Sequence, residues 1–177
     1  TIKLDGNYPV GTANVALGNN ALSSATSAND SIAVGDNALL NNTSGSDNTA
    51  VGTSAMKENT TGSNNSAYGV LALDDNTTGA SNVGVGHSAL RLNTTASNNT
   101  AVGYQALYDN TTGDDMVAMG YQALANNTTG QDNVGIGLQA LTINTTGNYN
   151  VAMGLQALRS NTTASNNTAV GYQAAYT

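Results

Sequence analysis

One histidine stands in a chain of 177 residues that has no cysteine. Without Cys there is no thiol nucleophile, disulfide framework or Cys-ligated zinc. His87 is then the sole imidazole for base or metal chemistry. It directly follows Gly86, at a position that related segments fill with Tyr, Leu, Asn, Asp, Thr or Val, so it reads as a surface side chain. Asp74-Asp75 and Asp114-Asp115 are adjacent carboxylates. Neighbours in extended chain point to opposite faces, whereas an acid/base pair must converge. Asp47 and Asp132 are the acids at which a bound cation would be sought, but the Gly-Gly-x-Gly-x-Asp calcium motif is absent. Gly84-x-Gly86 is no phosphate loop, because no helical pattern follows it. The expectation is a non-enzymatic chain with no catalytic residue, cofactor or metal.

The other chemistry-bearing residues come in ranks. Asn recurs at Asn42, Asn59, Asn76, Asn93, Asn110, Asn127, Asn144 and Asn161, and again at Asn14, Asn48, Asn65, Asn82, Asn99, Asn133, Asn150 and Asn167. Two readings stay open. Stacked amides can bond to one another along a rod. Alternatively, the rank from Asn42 to Asn161 faces outward as a glycan-contact or glycosylation rank, since Asn59-Thr60-Thr61 and its copies fit the Asn-x-Thr acceptor. Regular Thr would suit ice binding, but Thr60 and Thr61 are neighbours and only one can face out. Tyr104, Tyr121 and Tyr172 follow glycines, and Tyr108 and Tyr176 lie four residues further on. They are candidates for sugar contact or for packing between chains.

These ranks require a positioning element with a period of 17. Glycines fall at Gly18, Gly35, Gly52, Gly69, Gly86, Gly103, Gly120, Gly137, Gly154 and Gly171, every gap being 17. Ala stands three residues after each Gly, from Ala21 to Ala174. Next comes a large apolar residue, Leu22 through Leu158 with Met56 among them; Ala175 departs. Thr stands eight after the Gly, from Thr26 to Thr162. Helical repeats need about 33 to 47 residues. Val-Ala-Met-Gly (Val151 to Gly154) alternates at the period of a strand. The fold expected is all-β: a parallel β-solenoid, or β-roll, of ten coils over residues 14–177, one coil per repeat. Residues 1–13, with the only Pro, form a lead-in strand or cap. Coils stacked about 4.8 Å apart make a rod about 45–50 Å long.

Within a coil, the strand is expected to end at the Gly. The residues three and one before it, such as Val151 and Met153, should point inward and the intervening Ala or Gly outward. Asn-Thr-Thr-Gly should form a second short strand and a corner where Gly accepts positive φ. Each coil holds few large side chains, so burial of the flat small-residue face in a homotrimer is expected to stabilise the rod.

Composition narrows the partners. Only 8% of residues are charged and the net charge is -7, so nucleic acid and anionic membrane, which need basic patches, are excluded. No run approaches the roughly 18 apolar residues of a membrane span. The chain starts at Thr1 without a charged, apolar leader and stops in mid-coil at Thr177. A fragment of a longer fibre, or head-to-tail stacking, is expected from those ends.

Asn-Thr-Ala-Val-Gly (Asn48 to Gly52, Asn99 to Gly103, Asn167 to Gly171) resembles the head repeat of trimeric autotransporter adhesins. Asn82-Val83-Gly84-Val85-Gly86 and Asn150-Val151-Ala152-Met153-Gly154 are related variants. The longer Asn-Thr-Thr-Gly-Ser-Asn-Asn unit (Asn59 to Asn65) is similar to repeats in phage tail-fibre shafts and other long surface proteins. The likeness covers residues 14–177, although adhesin heads repeat near 14 residues. It implies a left-handed β-roll in a secreted, trimeric, adhesive rod and supplies no catalytic residues. The function expected is an extracellular, cell-surface or virion-surface fibre that binds itself, a host surface or a glycan. A phage shaft or self-assembling filament is the alternative, and an ice- or glycan-binding module a further one.

Overall fold

The computed structural model describes residues 11–176. The lead-in expected for residues 1–13 falls almost wholly outside them. Ten three-residue strands follow one another: β1 (Val15–Leu17), β2 (Ile32–Val34), β3 (Thr49–Val51), β4 (Ser66–Tyr68), β5 (Val83–Val85), β6 (Thr100–Val102), β7 (Val117–Met119), β8 (Val134–Ile136), β9 (Val151–Met153) and β10 (Thr168–Val170). They form one parallel sheet in sequence order. Thr49 pairs with Ser66 and Val51 with Tyr68, a register of one repeat. The chain is a β-solenoid of 17-residue coils.

Two tight turns follow each strand from β1 to β9, and the first of them follows β10. The Ala38 N–H donates to the Gly35 carbonyl at 3.3 Å, and the Asn42 N–H to the Leu39 carbonyl at 3.2 Å. These bends demand left-handed backbone. In the coil after Gly103, Gln105 and Leu107 both have φ 52. The repeat Gly itself has φ near +135, and Gly103 has +138. A Cβ on Gly103 would meet the Gly120 carbonyl oxygen at 2.4 Å. Glycine is therefore required there twice over, for its dihedral and for the closeness of the next coil.

The strand faces are the reverse of the expectation. Ala33, Ala50, Ala67, Ala101, Ala118 and Ala152 are fully buried, as are Gly84 and Gly135. Val85, Val102, Met119 and Met153 are exposed. The reason is thickness. Leu73 and Leu124 fill the space opposite the strand, so a Cβ on Gly84 would meet Leu73 Cγ at 3.4 Å and one on Gly135 would meet Leu124 Cδ1 at 3.1 Å. One Leu and one Ala fill a layer, and a Val facing inward would overpack it. Alternation alone fits either parity.

The second strand is also corrected. Among the described residues, Asn-Thr-Thr-Gly is a bend and not a strand. The N–H groups of Thr43 and Ser44 both donate to the Thr60 carbonyl, at 2.9 and 3.2 Å. Two donors converging on one acceptor cannot continue a regular ladder. The corner Gly needs no positive φ from Gly45 through Gly147, so Ala96 takes the same place; the left-handed residue comes two positions later, at Asp47 or Asn98.

Candidate functional site

Both Asn ranks are interior. Asn42, Asn59, Asn76, Asn93, Asn110, Asn127 and Asn144 are fully buried, and Asn161 in the last coil is half-buried. The Asn59 amide donates to Asn42 Oδ1 at 2.8 Å and to the Gly62 carbonyl at 3.0 Å. Asn76 repeats this on Asn59 and Gly79. The glycan-contact or glycosylation reading of this rank is therefore corrected: a fully buried amide with both hydrogens donated offers no atom to a sugar. The second rank meets the same corner from the other side. The Asn48 amide donates to the Gly62 carbonyl at 2.8 Å, and Asn48 Oδ1 accepts the Asn65 backbone N–H at 3.0 Å. The buried corner carbonyls of Gly62, Gly79, Ala96, Gly113 and Gly147 thus take two amide donors each, and those of Gly45 and Gly130, where Ser31 and Met116 replace the second-rank Asn, take one; these bonds satisfy polar groups that would otherwise cost folding free energy. Met116 interrupts this rank, and its sulfur lies 3.4 Å from Asn127 Nδ2.

Outside this interior lie three kinds of surface. The first is the Thr corner. Thr43 Oγ1 donates to the Thr60 carbonyl at 3.0 Å, and its copies run to Thr145 on Thr162. This rank is half-buried along most of the rod, and its neighbours Thr61, Thr78, Thr95, Thr112, Thr129 and Thr146 form one exposed file. Asp30, Asp47, Asp115 and Asp132 stand exposed nearby in the repeat. No group of three acidic or His side chains among the described residues converges as a metal site.

The second surface holds most of the remaining charge. Lys57 and Glu58 pair, Arg91 Nε lies 3.7 Å from Asp74 Oδ2, and Asp74 Oδ1 is buried without a hydrogen-bond partner. Burial, with repulsion from Asp75, raises the Asp74 carboxyl above its ordinary range against the attraction of Lys57 and Arg91. Burial raises Asp109 too. The hydrogen bond from Lys57 lowers Glu58. Tyr108 and Tyr176 are half-buried, each accepting a hydrogen bond at 2.9 Å from the guanidinium one repeat earlier, Arg91 and Arg159.

The third surface is the outer face of the sheet. Along it run three columns: the first strand residue, the third, and the residue after the repeat Gly. Every exposed large apolar side chain among the described residues, Tyr149 excepted, lies on them. His87 stacks on Tyr104 at 5.5 Å and Tyr104 on Tyr121 at 5.4 Å, with the rings within 20° of parallel. Ring faces turned toward each other along the rod leave edges outward, which gives a sugar no flat platform. Beside them Gln105, Gln122, Gln139, Gln156 and Gln173 link through their amides at 2.9–3.2 Å. Sequence reasoning placed His87, Tyr104 and Tyr121 on the surface but missed the apolar face, because it turned the strand inside out. No protein-family model, curated protein or solved structure matches the chain.

Proposed function

We propose that the chain is a segment of a non-enzymatic surface fibre, an adhesin head or stalk acting outside the cell. The observation that supports this is like meeting like: Asn bonds Asn, Gln bonds Gln and Tyr stacks on Tyr at intervals of one repeat. A catalytic centre brings unlike groups together once. A stack of equivalent coils instead supplies length, stiffness and a contact offered many times over, so weak contacts sum to avidity. A phage tail-fibre shaft or filament subunit would use the same properties. One observation favours a receptor-binding role over a bare building block: the exposed Thr file from Thr61 to Thr146, which presents hydroxyls and methyls at coil spacing to a glycan or another polar surface.

The test is retention on cell- or glycan-coated surfaces, comparing the chain with a tandem duplicate of residues 14–177. Multivalent contact raises retention about 100-fold or more on duplication. Unchanged retention, or turnover of a small substrate abolished by one substitution, contradicts the proposal.

A further inference from the structure

We infer that the rod carries a joint between β7 and β8, where the coils of β8 to β10 part from those of β1 to β7 before either block unfolds. The inference goes beyond the fibre reading and does not depend on it. In a fibre, the joint lets the rod yield at a fixed place under load.

The joint begins with a missing acceptor. At the other places of the second Asn rank, from Ser31 to Asn167, the backbone N–H donates to the side chain one coil earlier. Asn65 reaches Asn48 Oδ1 at 3.0 Å, and Asn150 reaches Asn133 Oδ1 at 2.9 Å. Where Ser31 replaces Asn, its hydroxyl still accepts the Asn48 N–H at 3.3 Å. Asn133 stands one coil after Met116, whose thioether is a weak acceptor. Asn133 is fully buried, and its N–H has no acceptor among the described residues. The Gly130 carbonyl lacks the amide that Asn at position 116 would supply and keeps only that of Asn127. A buried donor left unpaired costs free energy. Here that cost falls on one junction between coils.

Other links across this junction are long as well. The Val117 N–H meets the Asn133 carbonyl at 3.0 Å, whereas the matching strand bond is 2.8 Å at the other eight junctions. The Gln139 amide meets Gln122 Oε1 at 3.2 Å, the longest link of its file. The ring stack of His87, Tyr104 and Tyr121 also ends here, because Leu138 stands next in the column. Coils in a stack touch only their neighbours, so the stack parts where one interface is weakest. Fraying from an open end would give protection that fades smoothly along the rod. A joint gives a step.

Hydrogen exchange read by peptide tests this. Segment 117–128 donates across the joint through the Val117, Leu124 and Asn126 N–H groups. It should exchange about tenfold or more faster than segment 100–111, its equivalent one coil earlier. Met116→Asn returns both the acceptor and the amide and should remove the step. Adding Asn99→Met to that variant should move the step one coil toward the N-terminus. If the double variant fails to fold, Met116→Asn decides. Oxidation gives a second readout, because Met56 and Met116 are both fully buried and the joint bares only Met116. With dilute hydrogen peroxide, the O–O bond breaks, one oxygen passes to sulfur and water leaves. Met116 should form its sulfoxide about tenfold or more faster than Met56. Exchange that rises smoothly toward the C-terminus, a step that persists in Met116→Asn, or equal oxidation of the two methionines overturns the inference. Each of these results leaves the surface-retention test standing.

Discussion

The strand side of each coil and the Asn-Thr side hold together by different means. On the strand side, backbone bonds of 2.8 Å join neighbouring coils, as from the Ile32 N–H to the Asn48 carbonyl and from the Gly35 N–H to the Leu17 carbonyl. Side-chain identity outside this ladder is free, and the third strand position ranges from Leu17 to Tyr68. On the Asn-Thr side the backbone converges, and amide side chains complete the bonding. There identity is constrained: Asn fills the rank from Asn42 to Asn161 without exception. Where backbone alone satisfies backbone, sequence drifts; where a side chain must stand in, it drifts less, Ser31 and Met116 being the departures from the second Asn rank.

The largest effect should come on the strand side, from the glycine that follows each strand. Gly103→Val combines a dihedral that only Gly adopts readily with a contact of 2.4 Å to the next coil. A loss of about 4 kcal/mol or more is expected, read as a collapse of the melting temperature. An unchanged melt contradicts the assigned role.

The amide side is broken next most severely by Asn93→Asp. The Asn93 amide donates to Asn76 Oδ1 at 2.8 Å and to the Ala96 carbonyl at 3.0 Å. A carboxylate of the same size would face two acceptors while buried. The cost should be about 3 kcal/mol at neutral pH. Burial and those acceptors raise the new carboxyl, so the penalty is full above its folded pKa and fades as pH falls toward the ordinary aspartate range. Chemical denaturation at two pH values checks it; a loss that grows on acidification contradicts the ladder.

Leu107 sharpens the comparison inside the apolar layer. It is fully buried with φ 52, and Met56 holds the equivalent place with φ 52. Leu107→Met should cost under about 1.5 kcal/mol. Leu107→Ile should cost more, because β-branching is poorly accommodated at positive φ. Equal melting temperatures for the two variants would remove the backbone argument.

The charged surface should matter least. Asp109→Ala should be nearly silent, since burial already works against that carboxylate. Asp74→Asn should leave the melt unchanged or slightly higher at neutral pH. The folded pKa of Asp74 is raised, so its penalty is present above that value and vanishes below the unfolded one. A clear drop in melting temperature at neutral pH would mean that attraction to Arg91 outweighs burial.

How much of this was legible follows from what repeats. The coil length, strand position and parallel stacking came from the glycine register, because identical spacing forces identical neighbours. The amide ladder was one of two open readings, because nothing in the spacing of Asn42 and Asn59 tells inside from outside. Strand parity was misread at Val151-Ala152-Met153, where hydrophobicity pointed inward and volume pointed the other way. A signal did exist. Among the described residues, the thirty non-glycine residues at positive φ include no Val, Ile or Thr, although the chain holds 12 Val and 24 Thr. Leu rather than Ile or Val at the position of Leu90 and Leu107 marks a left-handed turn pointing inward, and that leaves room opposite it only for Ala or Gly.

The most direct test is therefore one of parity, made by thermal unfolding in dilute solution so that association does not intervene. Ala101→Val places extra volume against the buried leucines and should lower stability by about 1–3 kcal/mol. Val102→Ser removes an outward side chain and should change it by no more than about 0.5 kcal/mol. A silent Ala101→Val beside a strongly destabilising Val102→Ser would put the large residues inside and contradict the account.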